Sequence, residues 1–333
     1  MAFWKKNNGD GRKRTRLFYT TDVHGSERTY RKFINGAKFY KVDHLVLGGD
    51  IMGKFLIPIV DEGAGRYRVT LEEQLHHLDG ESAVQEFKDR IETLGFYHVT
   101  VTEDELREMQ GDQRRVDEAF RREAHERLER WIALADERLA GTEVKCYVTG
   151  GNDDPQHLMD VLENAHSEHV INCEERIVML EDAYPMANCG WSNPTPWDTP
   201  RETNEEELEK LLERAVEGVD DFSSAIFNMH VPPYDCTLDD CPKLDWSTDP
   251  PTPIVVAGVP QSAPAGSTAV RNVVDKYQPL MLLTGHIHES RGLVKVGRTT
   301  VINPGSEYGE GILRGCIITL EPGKVVGYQM TSG

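Results

Sequence analysis

The chain has 333 residues, enough for one large α/β domain or two smaller ones with a sizeable core. Charged residues make up 28% of the sequence and the mean hydropathy is −0.51, which indicates a soluble protein. The formal net charge of −19 disfavours binding to a nucleic-acid backbone, because that depends on clustered Lys and Arg. The basic cluster formed by Arg12, Lys13, Arg14 and Arg16 is interpreted as a solvated N-terminal arm. Phosphorylated small molecules remain candidate substrates, since bound metal ions can make the electrostatic potential of a site positive even in an acidic protein.

The sequence also bears on the cellular compartment. No apolar run approaches the ~18 residues needed to span a bilayer, so no membrane contact is expected. Residues 1–16 are polar and basic and lack the apolar segment of a signal peptide. Six scattered cysteines predict reduced thiols in a cytoplasmic protein rather than a disulfide framework. Cys236 and Cys241 share a polar loop, but their spacing fits no common zinc pattern, so a metal site there is the weaker alternative.

Short apolar runs alternate with helical segments at the start of the chain, a pattern typical of α/β proteins. A strand is predicted over residues 17–21 and a helix over 26–37, with Ser26 as its N-cap. A second strand follows over residues 44–47.

Residues 55–142 leave this alternation and are predicted to form a mostly helical insertion. A short hairpin is expected first, with strands at 57–60 and 67–70, followed by helices over 82–94 and 112–139. In the last helix one apolar stripe is expected to be buried, and the charged remainder is interpreted as a solvated face. The stripe comprises Val116, Phe120, Leu128, Trp131, Ala135 and Leu139. The insertion is expected to cap the site or to provide an interaction surface, including one for homo-oligomer formation.

The remainder of the chain resumes short elements. A Pro-rich loop over residues 191–200 carries two tryptophans, which either anchor the loop to the surface or form a wall against substrate. Residues 231–264 are predicted to be irregular. Strands are predicted at 145–149, 225–229, 282–284, 292–296, 299–302 and 315–320, and helices at 204–219 and 267–276.

Residue types that bind metal ions follow five of these predicted strands. One His-x-His pair alone is as readily explained by a core histidine and a solvated one, but five such endings favour a metal site. The strand endings carry Asp22 and His24, then Asp50, then Asn152, Asp153 and Asp154, then His230, and finally His286 and His288.

In chain order these motifs are D-V-H, G-G-D, G-G-N-D-D, the histidine of N-M-H-V-P-P, and G-H-I-H. They resemble the calcineurin-like metallophosphoesterase superfamily, whose pattern is D-x-H, G-D, G-N-H-D/E, H and G-H-x-H. The resemblance covers residues 16–54, 145–154 and 225–320. The C-terminal half, from residues 230–234 through residues 303–308, also resembles an Icc-related branch of predicted phosphoesterases. The resemblance implies an α/β fold: one domain over residues 1–333, with a two-sheet β-sandwich flanked by helices in four layers (αββα).

The resemblance also implies roles for individual residues. Asp22, His24, Asp50 and His288 would hold one metal ion, and Asp50 would bridge to a second ion held with Asn152, His230 and His286. Their oxygen and imidazole ligands suit Mn, Fe, Zn, Ni or Co, with Mn favoured. Two such ions would grip a phosphate and activate a water as hydroxide for in-line attack.

Two positions depart from the family pattern. Asp153 stands where the family has a histidine credited with protonating the leaving group, and Gly53 replaces the second carboxylate of G-D-x-x-D. An aspartate near two cations is expected to be ionised and therefore a poor general acid. The alternative for Asp153 is a carboxylate that caps the following helix or turn. Asn152 and Asp153 are the predicted catalytic residues.

The leading hypothesis is a dinuclear metal-dependent phosphoesterase that hydrolyses a phosphodiester or phosphoanhydride, with a small phosphorylated substrate such as a nucleotide. One alternative is a metal-binding interaction or scaffold protein with weak catalysis, which Asp153 and the large insertion would suit. A nuclease of the same superfamily is a third hypothesis, and the acidic composition counts against it.

Overall fold

A computed structural model describes residues 14–245, 247–248 and 251–333. Residues 1–13, including Arg12 and Lys13 of the basic cluster, lie outside the described residues. The prediction of a solvated arm is wrong for Arg16, which lies in the first strand and donates a 3.1 Å hydrogen bond to the carbonyl of Lys41. Arg14 donates to Glu321 at 2.9 Å.

The strands are numbered in chain order through the described residues. The first ten are β1 Thr15–Thr20, β2 His44–Gly48, β3 Leu56–Gly63, β4 Arg66–Leu71, β5 Gln74–Asp79, β6 Tyr97–Thr102, β7 Lys145–Thr149, β8 Val170–Asn172, β9 Ile177–Leu180 and β10 Tyr184–Cys189. The next seven are β11 Ile226–Met229, β12 Asp240–Pro242, β13 Leu244–Asp245, β14 Thr252–Pro253, β15 Val255–Val256, β16 Val259–Pro260 and β17 Ser262–Pro264. The last five are β18 Met281–Leu283, β19 Gly292–Val296, β20 Thr299–Asn303, β21 Arg314–Glu321 and β22 Lys324–Ser332.

Seven α-helices occur within the described residues, together with a 3₁₀ turn at Tyr308–Glu310. They are α1 Glu27–Tyr40, α2 Gly80–Thr93, α3 Glu103–Gly111, α4 Gln113–Leu139, α5 Gln156–Asn164, α6 Glu205–Val216 and α7 Thr268–Tyr277. The sequence did not predict α3 or α5. Ser26 is the N-cap residue of α1, but its hydroxyl donates to the carbonyl of Thr93 at 2.8 Å, so the predicted side-chain cap is absent.

Two six-stranded sheets form the centre of the described structure. One has the order β22-β21-β1-β2-β7-β8 and the other β19-β20-β18-β11-β10-β9. Within the first sheet β1, β2 and β7 are parallel, and within the second β10, β11, β18 and β20 are parallel. The parallel strands of each sheet therefore end at a common edge.

The two sheets pack face to face between layers of helices. Because side chains alternate across a strand, Leu17 and Tyr19 of β1 pack against the second sheet while Phe18 faces α1. On the opposite outer face, Phe227 and Leu282 pack against α6 and α7. The predicted α/β class is confirmed.

Residues 56–139 contain more strand than the sequence predicted. Strands β3 to β6 form a four-stranded sheet in the order β5-β4-β3-β6, with α2 to α4 around it. Alternate residues of β4 are buried, and they pack with Phe87 and Ile91 of α2 in a small core of their own. The description of this region as mostly helical was therefore incomplete.

The apolar stripe predicted for helix α4 is only partly buried. Leu128, Trp131, Ala135 and Leu139 are buried, whereas Val116 and Phe120 are half-buried. The prediction that all the charged residues face solvent is wrong for Arg127, which is only 3% exposed.

Residues 231–264 are also more regular than predicted. Three short antiparallel ladders occur there, β12 with β17, β13 with β14 and β15 with β16. All six cysteines are free, and five of them are buried. Within residues 14–245, 247–248 and 251–333, none of the helices has the length and apolar character of a membrane span.

Candidate metal centre

The five strand endings that the sequence singled out meet in one place. Asp22 and His24 follow β1, Asp50 follows β2 and Asn152 follows β7. From the other sheet, His230 follows β11, and His286 and His288 follow β18. All seven predicted metal ligands therefore lie together at the carboxyl ends of parallel strands, where open α/β sheets place their ligand sites.

Asp22, His24 and His288 form the first group of ligand atoms. The Nε2 atoms of His24 and His288 lie 3.2 Å apart, and His288 Nε2 lies 3.4 Å from Asp22 Oδ1. One nitrogen or oxygen from each residue falls within 4.8 Å of the others, so the group could hold a metal ion.

Asp50, His230 and His286 form the second group, which meets the same distance criterion. Asn152 adjoins it, because His286 Nδ1 donates to Asn152 Oδ1 at 2.8 Å. The amide nitrogen of Asn152 donates to Thr199 Oγ1 at 2.9 Å, which turns the amide oxygen toward the histidine.

Asp50 lies between the two groups. Its Oδ2 atom is 3.5 Å from His24 Nε2 of the first group and 3.3 Å from His230 Nε2 of the second. The Asp50 Oδ1 atom accepts a 3.0 Å hydrogen bond from the backbone N–H of Asp153. This bond fixes the carboxylate between the two sets of imidazoles.

The backbone at the centre is strained. Asp22, His24, Asp50 and His286 have φ angles of 53°, 38°, 50° and 66°, in the left-handed region that side-chain-bearing residues seldom adopt. Such conformations cluster at functional sites, where the surrounding structure offsets their cost.

Burial and neighbouring charge shift the pKa values of the histidines. Burial lowers the pKa of His24 to about 3 and that of His286 to about 4, which leaves both imidazoles neutral. Burial also opposes charge on His230, but Asp50 and Asp22 outweigh it and raise the pKa of His230 to about 10. His24 and His286 are therefore already in the neutral form that binds metal ions, whereas His230 would release a proton when an ion binds.

The donor atoms fit a divalent metal ion. His24 Nδ1 and His230 Nε2 are buried without a hydrogen-bond partner in the described structure, although carboxylates lie nearby. His230 Nδ1 donates to the carbonyl of Gly48 at 3.0 Å, an outer contact that orients the ring with Nε2 toward the site. Carboxylate, amide oxygen and imidazole together suit borderline to hard divalent ions.

Asp153 has a partner that the sequence did not suggest. Its Oδ2 atom lies 2.9 Å from Lys54 Nζ and 3.5 Å from His24 Nδ1. Asp153 does not cap the following helix, because α5 has Pro155 at its N-cap position and no side-chain cap there. Asp154 is fully buried and accepts from the backbone N–H groups of Ile51, Met52 and Gly151.

Gly53 marks a close approach between backbones. A Cβ atom at Gly53 would lie 2.0 Å from the carbonyl oxygen of Gly95, so no carboxylate fits there without displacing the chain. The residue is glycine because residue 95 packs directly against the loop that carries Asp50.

Sequence reasoning missed three further residues around the centre. Lys54 follows Asp50 by four positions, Thr199 lies in the Pro-rich loop, and the Tyr308 ring centroid is 4.5 Å from that of His24. Lys54 could have been found from its position just after the G-G-D motif, and Thr199 from its place in the Pro-rich loop that was considered as a wall against substrate. Tyr308 fell within the stretch resembling the Icc-related branch, but no role was assigned to it.

A cavity of about 530 Å³ adjoins the centre. Asp50, Asn152, Asp153, His286 and His288 line it on one side, together with Lys54 and Tyr308. The Pro-rich loop and the β12–β13 and β17 segments line the other side. Four of the seven candidate ligands therefore face a cavity large enough for a small molecule.

Comparisons with known proteins give a fold and a distant sequence relative. No family model matches the chain. The uncharacterized protein MJ1162 of Methanocaldococcus jannaschii is 29% identical over 156 residues, which are 46% of this chain and 61% of that protein. The alignment thus spans less than two thirds of that relative's length.

Among solved structures, TT1561 of Thermus thermophilus aligns over 96% of this chain and 98% of its own, with a TM-score of 0.51 and 14% identity. This chain shares its fold. The structure of a novel archaeal phosphodiesterase aligns over 96% of this chain and all of its own at 13% identity, but its TM-score of 0.33 is too low to support an inference.

Proposed function

We propose that the protein is a metal-dependent phosphoesterase of the calcineurin-like superfamily that hydrolyses a phosphodiester or a phosphoanhydride. The observation that carries the proposal is the meeting of two Asp–His groups at Asp50, beside a cavity that also contains Lys54. Two adjacent ligand groups that share a carboxylate are the arrangement a dinuclear centre requires.

In this proposal Asp22, His24, Asp50 and His288 hold one ion, and Asp50, Asn152, His230 and His286 hold the other. Two bound divalent ions, Mn in our proposal, would supply positive charge against the phosphate oxygens and lower the pKa of an attacking water. The division is supported by the two ligand groups and by the single Asp50 oxygen that faces both.

The surrounding residues would orient the phosphate. Lys54 has 41% of its side chain exposed and lines the cavity, so its ammonium group can face both Asp153 and a substrate oxygen. Thr199 fixes the Asn152 amide. Asp153 would hold Lys54 in place rather than protonate the leaving group.

The proposal extends to the rest of the molecule. We propose that residues 1–333 form a single cytoplasmic domain and that residues 55–142 are an insertion into it. Part of this insertion packs against the loops that carry His24 and Asp50.

The test is hydrolysis of bis-p-nitrophenyl phosphate and p-nitrophenyl phosphate by the purified full-length chain with added Mn²⁺. We expect turnover that disappears with a chelator and in Asp50→Asn, with the diester preferred. Metal binding without turnover of either ester would contradict the proposal and favour the scaffold alternative. Faster cleavage of single-stranded DNA than of the small diester would favour the nuclease.

A further inference from the structure

The cavity beside the metal centre has two chemically different sides. The side with the ligands is polar, whereas the far side presents Pro194, Pro196 and Trp197 from one loop and Pro242, Leu244 and Pro264 from the short ladders. A substrate that filled the cavity would place a phosphate on the first side and a flat or apolar group on the second.

We propose that the far side is a nucleoside subsite in which Trp197 stacks on a base, so that the substrate is a mononucleotide-sized phosphodiester or phosphoanhydride. This inference rests on the proposed function, because it takes the metal centre as the place where the phosphate binds.

The two tryptophans of the Pro-rich loop have different surroundings. Trp191 anchors the loop, since its indole N–H donates to Glu175 at 2.9 Å and the Arg201 guanidinium lies 5.4 Å from its ring centroid. Trp197 is 68% exposed and lines the cavity. Because Trp191 already anchors the loop, Trp197 is not needed for that purpose. An exposed indole at the mouth of a cavity is suited to stack on a planar group of a ligand.

The loop holds Trp197 in a fixed position. The Glu202 carboxylate accepts hydrogen bonds from the backbone N–H and the hydroxyl of Thr195, and from the same two groups of Thr199. Thr199 in turn accepts from the Asn152 amide, so the loop is tied to the metal centre. A stacking surface that is ordered before binding loses less entropy when the ligand arrives.

Size and charge limit the ligand to one nucleoside. A volume of about 530 Å³ is that of a small-molecule site and has no room for a polynucleotide. The net charge of −19 also disfavours a long polyanion. The polar residues Thr195, Thr199 and Lys243 interrupt the apolar side, which suits the edge of a base and the sugar better than an acyl chain.

The experiment compares two diesters with the same leaving group on the Mn²⁺-loaded full-length protein. They are thymidine 5′-(p-nitrophenyl phosphate) and methyl p-nitrophenyl phosphate, which differ in the nucleoside alone. We expect the nucleoside ester to have the lower KM. Trp197→Ala should raise that KM by about 5- to 150-fold, the range for loss of one base–aromatic stack.

Two further variants test the role of the ring. Trp197→Phe should restore most of the affinity, because it keeps an aromatic face. Tyr328→Ala removes an aromatic side chain that is 56% exposed on β22, away from the cavity, and should keep the wild-type ratio of the two KM values. Equal KM values for the two esters in the wild-type protein would overturn the nucleoside subsite and leave the phosphoesterase proposal intact.

A binding measurement separates the two proposals when there is no turnover. Titration with adenosine 5′-monophosphate and with ribose 5-phosphate should show tighter binding of the nucleotide, and Trp197→Ala should remove the difference. Nucleotide preference without turnover of any ester would reject the phosphoesterase and keep the subsite. Equal affinity for the two phosphates would reject the subsite.

Discussion

Asp50 is the residue on which the proposed dinuclear centre depends. Its Oδ2 atom faces His24 of one ligand group and His230 of the other, at 3.5 and 3.3 Å. A residue in that position would contact both proposed ions, whereas each of the two histidines lies in a different ligand group.

We predict that Asp50→Ala loses both ions and all turnover, and that His24→Ala loses one ion. Metal content of the purified variants, measured after dialysis against a fixed Mn²⁺ concentration, checks this prediction. His98→Ala is a control, since His98 lies on β6 and is absent from the ligand groups of the described residues. Two ions retained in Asp50→Ala would remove the bridging role.

Asp153 gives a second prediction at the scale of one residue. Burial and Asp50 raise the pKa of Asp153 to about 6 although Lys54 lies 2.9 Å away, but divalent ions bound beside it would keep the carboxylate ionised, so it should not protonate the leaving group. The hydrolysis rate should therefore fall steeply as the pKa of the leaving group rises. Asp153→His should flatten that dependence by supplying a general acid, an effect of roughly 10²- to 10⁴-fold for poor leaving groups.

Asp153→Asn is the matched control for this series, because it removes the charge without adding an acid. A shallow dependence in the wild-type protein would show that another group donates the proton. The family pattern suggests adding a carboxylate at residue 53 to support a histidine at position 153. Such a side chain does not fit, because Gly53 packs against Gly95.

The proposed insertion directly supports the loop that carries His24. The buried Arg127 of α4 donates to the carbonyls of Gly25 and Phe96 at 2.6 and 3.0 Å and pairs with Glu92 at 3.1 Å. Gly25 follows His24 in the chain, so α4 helps to hold the turn that presents this ligand.

Arg127→Met should destabilise the protein by about 2–4 kcal/mol, because it leaves Glu92 and two buried carbonyls without their partner. Chemical denaturation measures the loss. Arg122→Met is the control: Arg122 is on the same helix, 54% exposed and paired with Glu123, so its removal should change stability by less than about 0.5 kcal/mol. Equal effects in the two variants would show that Arg127 does not support the loop.

Gly95 of the insertion packs closely against the loops that carry His24 and Asp50. Its φ is 86°, and a Cβ there would lie 2.1 Å from the carbonyl oxygen of His24. Gly95→Ala should therefore cost more than about 1 kcal/mol of stability and weaken Mn²⁺ binding.

Gly111→Ala is the matched control for Gly95→Ala, since a Cβ there meets nothing within 4 Å at the end of α3. It should leave metal binding unchanged and stabilise the protein slightly. Denaturation and Mn²⁺ titration of both variants give the comparison. Wild-type metal affinity in Gly95→Ala would show that this contact does not position His24.

At the scale of the whole molecule, the charge of −19 predicts a response to salt. Repulsion among unpaired carboxylates opposes the compact state, and raising NaCl from about 0.1 to 1 M shortens the screening length from about 10 to 3 Å. The thermal midpoint should rise over this range, with KCl giving the same result as NaCl. A fall would mean that surface ion pairs such as Arg176–Glu163 contribute more than the repulsion.

The sequence by itself determined the residue types at the candidate metal centre and the strands that carry them. Asp22, Asp50, His230 and His288 were identified because each follows a short apolar run, a local pattern that needs no knowledge of the partner strand. Helices α1, α6 and α7 were predicted near their observed ends for the same reason, since their apolar faces repeat within a few residues.

Only the tertiary structure decided which residues support that centre. Lys54 meets Asp153 across 99 positions and Arg127 reaches Gly25 across 102, as the residue numbers give. Trp197 and Trp191 look alike in sequence, yet one lines the cavity and the other anchors the loop. These contacts depend on how distant segments pack, and a local pattern of hydrophobicity or charge does not contain that information.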